Sequence, residues 1–327
     1  YGYEYGRGKA YLYLGSAAGL ATDPVWTTLG ENPGDLLGGA VAGAGDVNGD
    51  GYDDILIGAG GYNESHGKVT LYYGAAGGIQ APWQLTNPLL AAHGEHTATA
   101  LADGRVLVAG GNDLAGAEIY NPATGAWTPT GDLHFARLDH TATRLADGRV
   151  LVVGGVDPTS FTPLDSAELY NPATGAWTVT GNLNTDRRGH TAVLLPNGRV
   201  LVAGGYSAED PYPLATTELY DPQTGQFTLT GNLNDPRAFH TATPLTNGQV
   251  LVAGGYGVAS SILDSAELYN PATGLWVSTG NMLSARAGQA AVRLLDGQVL
   301  VAGGSEYGYM LAGAELYDPA TGLWTAT

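Results

Sequence analysis

The feature that most limits what this chain can become is a sentence repeated five times. It is first read at His96–Trp127: HTATALADGRVLVAGG, a variable insert, then AEIYNPATGAW. It returns at His140–Trp177, His190–Phe227, His240–Trp276 and Gln289–Trp324, the last with glutamine in the histidine's place. The copies start 44 residues apart from His96 to His140 and 50 apart from His140 to His190. Within each copy an apolar run meets an Asp-Gly or Asn-Gly turn of the kind that closes tight hairpins, and a second apolar run ends in two glycines. After the insert, a strand carrying Tyr turns through Pro-x-Thr-Gly into a strand carrying Trp or Phe. Such a period predicts a radial array of four-stranded blades, each burying its faces only against its neighbours.

These residues resemble the Kelch repeat. The resemblance rests on Gly110-Gly111, Gly154-Gly155, Gly204-Gly205, Gly254-Gly255 and Gly303-Gly304, on the tyrosine before Asn/Asp-Pro, and on the closing aromatic. It covers residues 96–327 and implies a β-propeller, a scaffold that hosts many functions.

Residues 1–95 carry a different echo. GKAYLYLGSAAGL at 8–20 matches GKVTLYYGAAGGI at 67–79, with GGAVAGAGDVNGDGYDDILIGAG at 38–60 between them. This resembles the FG-GAP repeat of integrin-α-type propellers, although Leu37-Gly38 stands for Phe-Gly and Gly58-Ala59-Gly60 lacks the proline. Counting the closing aromatics (Trp26, Trp83, Trp127, Trp177, Phe227, Trp276, Trp324) gives seven outer halves. Inner strands starting near Gly38, His96, His140, His190, His240 and Gln289 give six. The expected fold is therefore all-β: one seven-bladed β-propeller of four-stranded blades over 1–327, its first blade lacking the inner two strands. Residues 1–31 form the outer half of an FG-GAP-like blade, 32–90 a complete one, and 91–327 five Kelch-like blades. The open inner edge invites an added strand, from sequence upstream of Tyr1 or from another chain. A chain starting at Tyr1 rather than Met is expected to be processed or a fragment.

The sharpest local motif is Asp46-Val-Asn48-Gly-Asp50-Gly51-Tyr52-Asp53-Asp54. Asp46, Asn48, Asp50 and Asp54 place side-chain oxygens at loop positions 1, 3, 5 and 9, and the Tyr52 carbonyl falls at position 7. Calcium takes six to eight hard oxygen ligands on such a flexible loop. An EF-hand would need an acid at position 12, where Ile57 stands, so the FG-GAP reading is preferred to it. The bland alternative is an acidic Asx-turn without metal. The expected cofactor is structural calcium held by Asp46, Asn48, Asp50, Tyr52 and Asp54.

A second constellation is Arg-x-x-His at Arg137/His140, Arg187/His190 and Arg237/His240, with Arg286/Gln289 and His93/His96 as degenerate copies. By resemblance to Kelch propellers, Arg137, Arg187, Arg237 and Arg286 face the channel and bind acidic partners. The competing reading is architectural: one interblade contact repeated, with Glu118, Glu168, Glu218, Glu267 and Glu315 as partners. Some Kelch proteins resemble galactose oxidase, whose copper cofactor needs a tyrosine cross-linked to cysteine. This chain has no cysteine, so that cofactor is excluded. No G-x-S-x-G, H-E-x-x-H or P-loop is present, and no catalytic residue is assigned. Paired loop carboxylates remain open.

A net charge of −18 with 13 basic residues disfavours phosphate backbones and anionic membranes and favours basic partners and divalent cations. No run of about 18 apolar residues offers a membrane span. The inserts 112–116, 156–166, 206–216, 256–265 and 305–313 differ between copies. They bring Phe161, Tyr206, Tyr212, Tyr256, Tyr307 and Tyr309 to one face, a composition favoured at binding surfaces. The expectation is a secreted or cell-surface binding or adhesion propeller without catalysis, meeting a protein or glycan. The alternatives are a subunit of a surface filament or layer, self-assembling through the incomplete first blade, and a carbohydrate-active enzyme with its site at the channel mouth.

Overall fold

The computed structural model describes residues 89–91, 93–111 and 115–327, and before them a series of strands as backbone. Those strands are β1 (Lys9–Leu12), β2 (Gly15–Ser16), β3 (Gly19–Leu20), β4 (Trp26–Leu29), β5 (Leu37–Gly45), β6 (Asp54–Ala59), β7 (Lys68–Tyr72), β8 (Gly74–Ala75) and β9 (Gly78–Ile79). β5, β6 and β7 form an antiparallel sheet in that order, and β1 pairs with β4. Trp83 lies outside the described residues.

Each later repeat is one sheet. The first holds β10 (Thr97–Ala100), β11 (Val106–Ala109), β12 (Ala117–Asn121) and β13 (Ala126–Pro129). The second holds β14 (Thr141–Arg144), β15 (Val150–Val153), β16 (Ala167–Asn171) and β17 (Ala176–Val179). Then come β18 (Thr191–Leu194), β19 (Val200–Ala203), β20 (Thr217–Asp221) and β21 (Gln226–Leu229). These are followed by β22 (Thr241–Pro244), β23 (Val250–Ala253), β24 (Ala266–Asn270) and β25 (Leu275–Ser278). The last repeat runs β26 (Ala290–Arg293), β27 (Val299–Ala302), a small hairpin β28 (Ser305–Glu306) and β29 (Tyr309–Met310), β30 (Ala314–Asp318) and β31 (Leu323–Ala326). Every sheet runs in chain order, the last as β26-β27-β30-β31. Helix among the described residues is confined to one 3-10 turn, Val258–Ser260. The fold is all-β, of the propeller class.

Sequence explains why the strands differ. The second strand of the repeat reads Val-Leu-Val-Ala and is buried at every position in β11, β19 and β23, because neighbours cover both of its faces. The fourth strand buries only its aromatic: β21 and β25 expose every residue except Phe227 and Trp276. Tyr and Trp are direct cross-strand partners, as at Tyr269↔Trp276, with ring centroids 5.0 Å apart.

The chain divides into two compact units. The first takes residues 1–151, 157–160 and 168–178. In it the FG-GAP-like and Kelch-like segments are joined, since β5 adjoins β10, and β10 adjoins β14. The division thus falls inside the repeat array and not where the two sequence families meet.

The second unit takes residues 152–156, 161–167 and 179–327. Its core is a series of interblade layers. Val193, Leu195, Leu201 and Ala203 pack against Val250, Val252, Tyr269 and Trp276 of the next repeat. Leu245, Leu251, Ala253 and Met282 pack in the same way against Val299, Val301, Tyr317 and Trp324. Each such valine, leucine or methionine side chain contributes about 1.5–3 kcal/mol through its burial. Polar links pin the layers at their rims: the hydroxyls of Thr230 and Tyr269 are 2.9 Å apart, and Gly231 N–H donates to Gly274 O at 3.0 Å.

Gly231 has no room for a side chain, because a Cβ there meets the Gly274 carbonyl oxygen. Gly231→Ala is expected to destabilise the second unit by about 1–3 kcal/mol, the usual cost of overpacking. Urea unfolding followed by tryptophan fluorescence checks this, and an unchanged midpoint would show that the junction yields freely.

Candidate functional site

The sequence marks three places: the arginine series, the insert loops and the acidic loop between β5 and β6. The arginines precede each inner strand. Arg137, Arg187, Arg237 and Arg286 are fully buried or nearly so. Arg237 Nη1 donates to Gly254 O at 2.9 Å and Ser265 O at 3.0 Å, and Nη2 donates to Glu267 Oε1 at 2.8 Å. Arg187 does the same with Gly204, Thr216 and Glu218, and Arg286 with Gly303, Gly313 and Glu315. In the first unit Arg137 Nη2 donates to Glu168 Oε1 at 3.1 Å. Burial works against the charge on Arg137, Arg187 and Arg237 and lowers their pKa, while the facing carboxylates oppose that shift.

The main chain of the same arginine reaches the preceding repeat. Gly205 N–H donates to Arg237 O at 2.9 Å, and Gly255 N–H to Arg286 O at 2.8 Å. Gly254 adopts φ +66 where a Cβ would strike the Arg286 carbonyl, which is why the repeat keeps two glycines at this point. The glutamate closes the joint from the other side: Glu267 also accepts from the Asn234 and Asp235 N–H groups. This is the architectural arrangement. It leaves no guanidinium of Arg137, Arg187, Arg237 or Arg286 at the surface to meet an acidic ligand.

His93 occupies the arginine's place in the first repeat. Its Nδ1 lies 2.7 Å from Gly110 O and its Nε2 3.1 Å from Glu118 Oε1, so one ring reaches both groups that the arginine reaches in later repeats. Burial opposes ionisation of Glu118. The His93 hydrogen bond and the N–H groups of Leu90 and Ala91 outweigh it, and the carboxyl sits below its usual range.

The histidines three residues on are also interior. His240 Nε2 is 2.9 Å from Thr191 Oγ1, and His240 Nδ1 has no partner among the described residues. At the next junction Gln289 Nε2 donates to Ala253 O at 2.7 Å. Among the described residues no group of His, Cys, Asp or Glu is gathered to hold a metal ion.

The inserts are the exposed individuality of the chain. Phe161 is 73% exposed, Tyr212 50%, Tyr307 68% and Tyr309 78%, and Met310 next to Tyr309 and Val258 in the 256–265 insert, which side-chain type alone did not single out, are exposed too. Phe161 and Tyr307 hold positive φ (55 and 47), which is strained for large side chains. Tyr206 and Tyr256 differ: they are half-buried around Phe239, at centroid distances of 6.3 and 6.0 Å, and brace the loop bases.

Asp46, Asn48, Asp50 and Tyr52 lie outside the described residues, and Asp54 opens β6. What the structure shows is the frame. β5 and β6 pair as far as Gly45↔Asp54, so the two ends of the acidic loop are held side by side.

Residues 37–74 match the FG-GAP repeat, and residues 140–184, 187–234 and 237–283 match the Kelch motif. The chain thus carries an FG-GAP repeat followed by Kelch motifs. It is 32% identical over 127 residues to integrin alpha pat-2 of Caenorhabditis briggsae and 42% identical over 82 residues to integrin alpha-8 of Gallus gallus. Those stretches cover 38% and 24% of this chain but only 10% and 8% of the relatives. Among solved structures it is similar to a fungal alcohol oxidase of the AA5 family in complex with copper (TM-score 0.70, 22% identity, 90% of this chain and 65% of that one). It is also similar to YjhT (TM-score 0.66, 14% identity, 84% and 94%). The first likeness corrects the expectation of a chain without catalysis: an enzyme shares this fold, and the fold gives no ground for excluding a reaction.

The histidine series generates a pH prediction. Burial, with Arg237 and His190 adding to it, holds the His240 pKa well below the ordinary value. The stability this contributes is whole above about pH 6.5, the unfolded value, and is lost as pH falls below it. His240→Gln, which copies the chain's own Gln289, is expected to flatten the pH dependence of unfolding free energy between pH 6.5 and 5 by up to about 1.4 kcal/mol per pH unit. Urea titrations across that range check it; identical slopes would place the proton uptake elsewhere.

Proposed function

We propose that this chain is a binding or adhesion propeller of the cell surface or extracellular space, gripping a protein partner through its insert loops and braced by calcium at its FG-GAP repeat. The observation that carries the reading is the exposure of Phe161, Tyr212, Tyr307 and Tyr309, two of them on strained backbone, in the segments that vary between otherwise matching repeats. Large rigid aromatics on loops above a rigid scaffold form contact surfaces at low entropic cost. The Arg–Glu pairs are internal and neutral as units, so the net charge of −18 belongs to the remaining residues and favours a basic partner. The matches to integrin alpha chains support adhesion and a cell-surface setting. The single seven-bladed ring of 1–327 expected from the sequence is part of this proposal. No described helix is long and apolar enough to cross a membrane.

Calcium would be held by Asp46, Asn48, Asp50, the Tyr52 carbonyl and Asp54, where it relieves the repulsion of carboxylates gathered in one loop. A catalytic reading has one observation in its favour, the fold shared with an alcohol oxidase.

Two measurements test the proposal. In calorimetry Asp50→Ala is expected to abolish tight calcium binding and to lower the melting temperature only when calcium is present; equal affinity in the variant would remove the site. On an array of extracellular proteins and glycans the intact chain is expected to retain a basic or neutral protein. Phe161→Ser with Tyr309→Ser should weaken that capture at least about tenfold at unchanged stability, since each anchor of this kind carries 1–2 kcal/mol or more. Capture insensitive to both substitutions would move the site off the inserts.

A further inference from the structure

The five Kelch-like repeats join their first two strands through one kind of turn, at Asp103-Gly104, Asp147-Gly148, Asn197-Gly198, Asn247-Gly248 and Asp296-Gly297. In each the glycine N–H donates to the carbonyl three residues back, as Gly198 does to Leu195 O at 2.9 Å and Gly248 to Leu245 O at 3.0 Å. The residue after the glycine donates its own N–H to the side-chain oxygen: Arg199 to Asn197 Oδ1 at 3.1 Å, Gln249 to Asn247 Oδ1 at 3.0 Å. The glycines hold φ between +81 and +90, which they adopt at no steric cost. Two of the five turns therefore expose an asparagine followed by glycine, at 197 and 247. Such a pair is reactive, because no Cβ keeps the glycine nitrogen from the side-chain carbonyl carbon.

The two asparagine turns differ in what surrounds the carboxamide. Asn247 Nδ2 donates to Gln249 Oε1 at 2.8 Å, whereas Asn197 Nδ2 has no partner among the described residues. The residue after the glycine is neutral at 249 and cationic at 199. Where the turn carries aspartate, the arginine at that place folds onto it. Arg105 Nε donates to Asp103 Oδ2 at 2.8 Å, and Arg149 Nε to Asp147 Oδ2 at 2.8 Å. Arg199 has no carboxylate in its turn and donates instead from Nε and Nη2 to Asp221 Oδ2, at 3.2 and 3.0 Å. Asp221 stands where the two earlier repeats have Asn121 and Asn171. Arg199 thus has the reach to cover its own turn, as the aspartate turns show, and its side chain is 47% exposed and so has room to swing.

We propose that the β18–β19 turn is a site of self-modification, where the chain converts Asn197 to aspartate and isoaspartate with the assistance of Arg199. When the turn bond to Leu195 O opens, base takes the Gly198 N–H proton and the nitrogen attacks Asn197 Cγ. The new N–Cγ bond forms, the Cγ–Nδ2 bond breaks, and Nδ2 takes up a proton and leaves as ammonia. Water then opens the cyclic imide. Breaking the bond to Cγ gives aspartate on an unchanged main chain; breaking the bond to the main-chain carbonyl carbon gives isoaspartate, with the backbone rerouted through the side chain. Water is the only co-reactant, and nothing is oxidised or reduced. During the attack negative charge gathers on Asn197 Oδ1, which the Arg199 N–H already meets and its guanidinium can reach. Pro196 does not prevent this, since it fixes only its own φ and the attack turns the torsions of Asn197. The aspartate product recreates the pair seen at Asp103 and Asp147 and draws Arg199 away from Asp221. The turn joins the first and second strands and the inserts join the second and third, so the site stands whether or not the inserts bind a ligand.

The test incubates the intact folded chain in mildly alkaline buffer and follows each asparagine by peptide mapping, with fragmentation that separates aspartate from isoaspartate. Asn197 is expected to convert at least about threefold faster than Asn247, whose amide is tied to Gln249 and has no cation beside it. Arg199→Gln copies the chain's own Gln249 and removes only an exposed ion pair, so the melting temperature should hold while the Asn197 rate falls toward that of Asn247. Gln249→Arg reads the same effect from the other turn and should raise the Asn247 rate. Equal rates at the two asparagines of the parent chain would overturn the proposal, as would an Asn197 rate indifferent to Arg199→Gln or an Asn247 rate indifferent to Gln249→Arg.

Discussion

A guanidinium shut away with a carboxylate is the constraint on which the Kelch-like blades depend. Taking both charges out of water is expensive, and the cost is recovered only if every donor and lone pair is met. On Arg237 both terminal nitrogens are met, by Gly254 O, Ser265 O and Glu267, though Nε has no partner among the described residues, and its carbonyl accepts from Gly205 of the previous repeat. One residue thus ties a sheet to itself and to its neighbour. Removing either member would strand the other charge in the interior, a loss of roughly 3–5 kcal/mol for a buried pair. The surrounding valine and leucine layers supply most of the cohesion, but they are slippery. The directional bonds set the angle at which one blade meets the next.

That division of labour explains what could be read in the chain beforehand. Strand identity was legible because Val-Leu-Val-Ala, Tyr and Trp recur at fixed places, and β11, β19 and β23 bury those runs as the pattern implies. The glutamate partners were legible too, since they share the arginines' period. Which way the arginines face was not: a charge repeated in every blade is equally compatible with a lined opening and an internal joint. Only the carbonyl of the next repeat above each glycine decides between them. Tyr206 and Tyr309 make the same point in the inserts. Both are tyrosines in variable loops, yet Phe239 packs against one, while the other is 78% exposed.

Function on such a frame resides in what the repeats do not share. The matching positions are occupied with holding the sheets in place, and they hold alike in a binding module and in an enzyme of similar fold. Departures from the pattern are the informative residues: His93 for arginine, Gln289 for histidine, aromatic tips on some inserts only, and an acidic loop found once.

The two glycines at the root of each insert have a practical corollary. Their bonds lie below the point where the segments diverge, so the 11-residue stretch 206–216 and the shorter 256–265 spring from the same fixed footing. Where that interblade bond is made, as at Gly205 and Gly255, length and composition above the footing are decoupled from the joint beneath. Foreign peptides of comparable span could be grafted between the second and third strands of one blade while its neighbours keep their geometry, which makes the molecule a natural display framework.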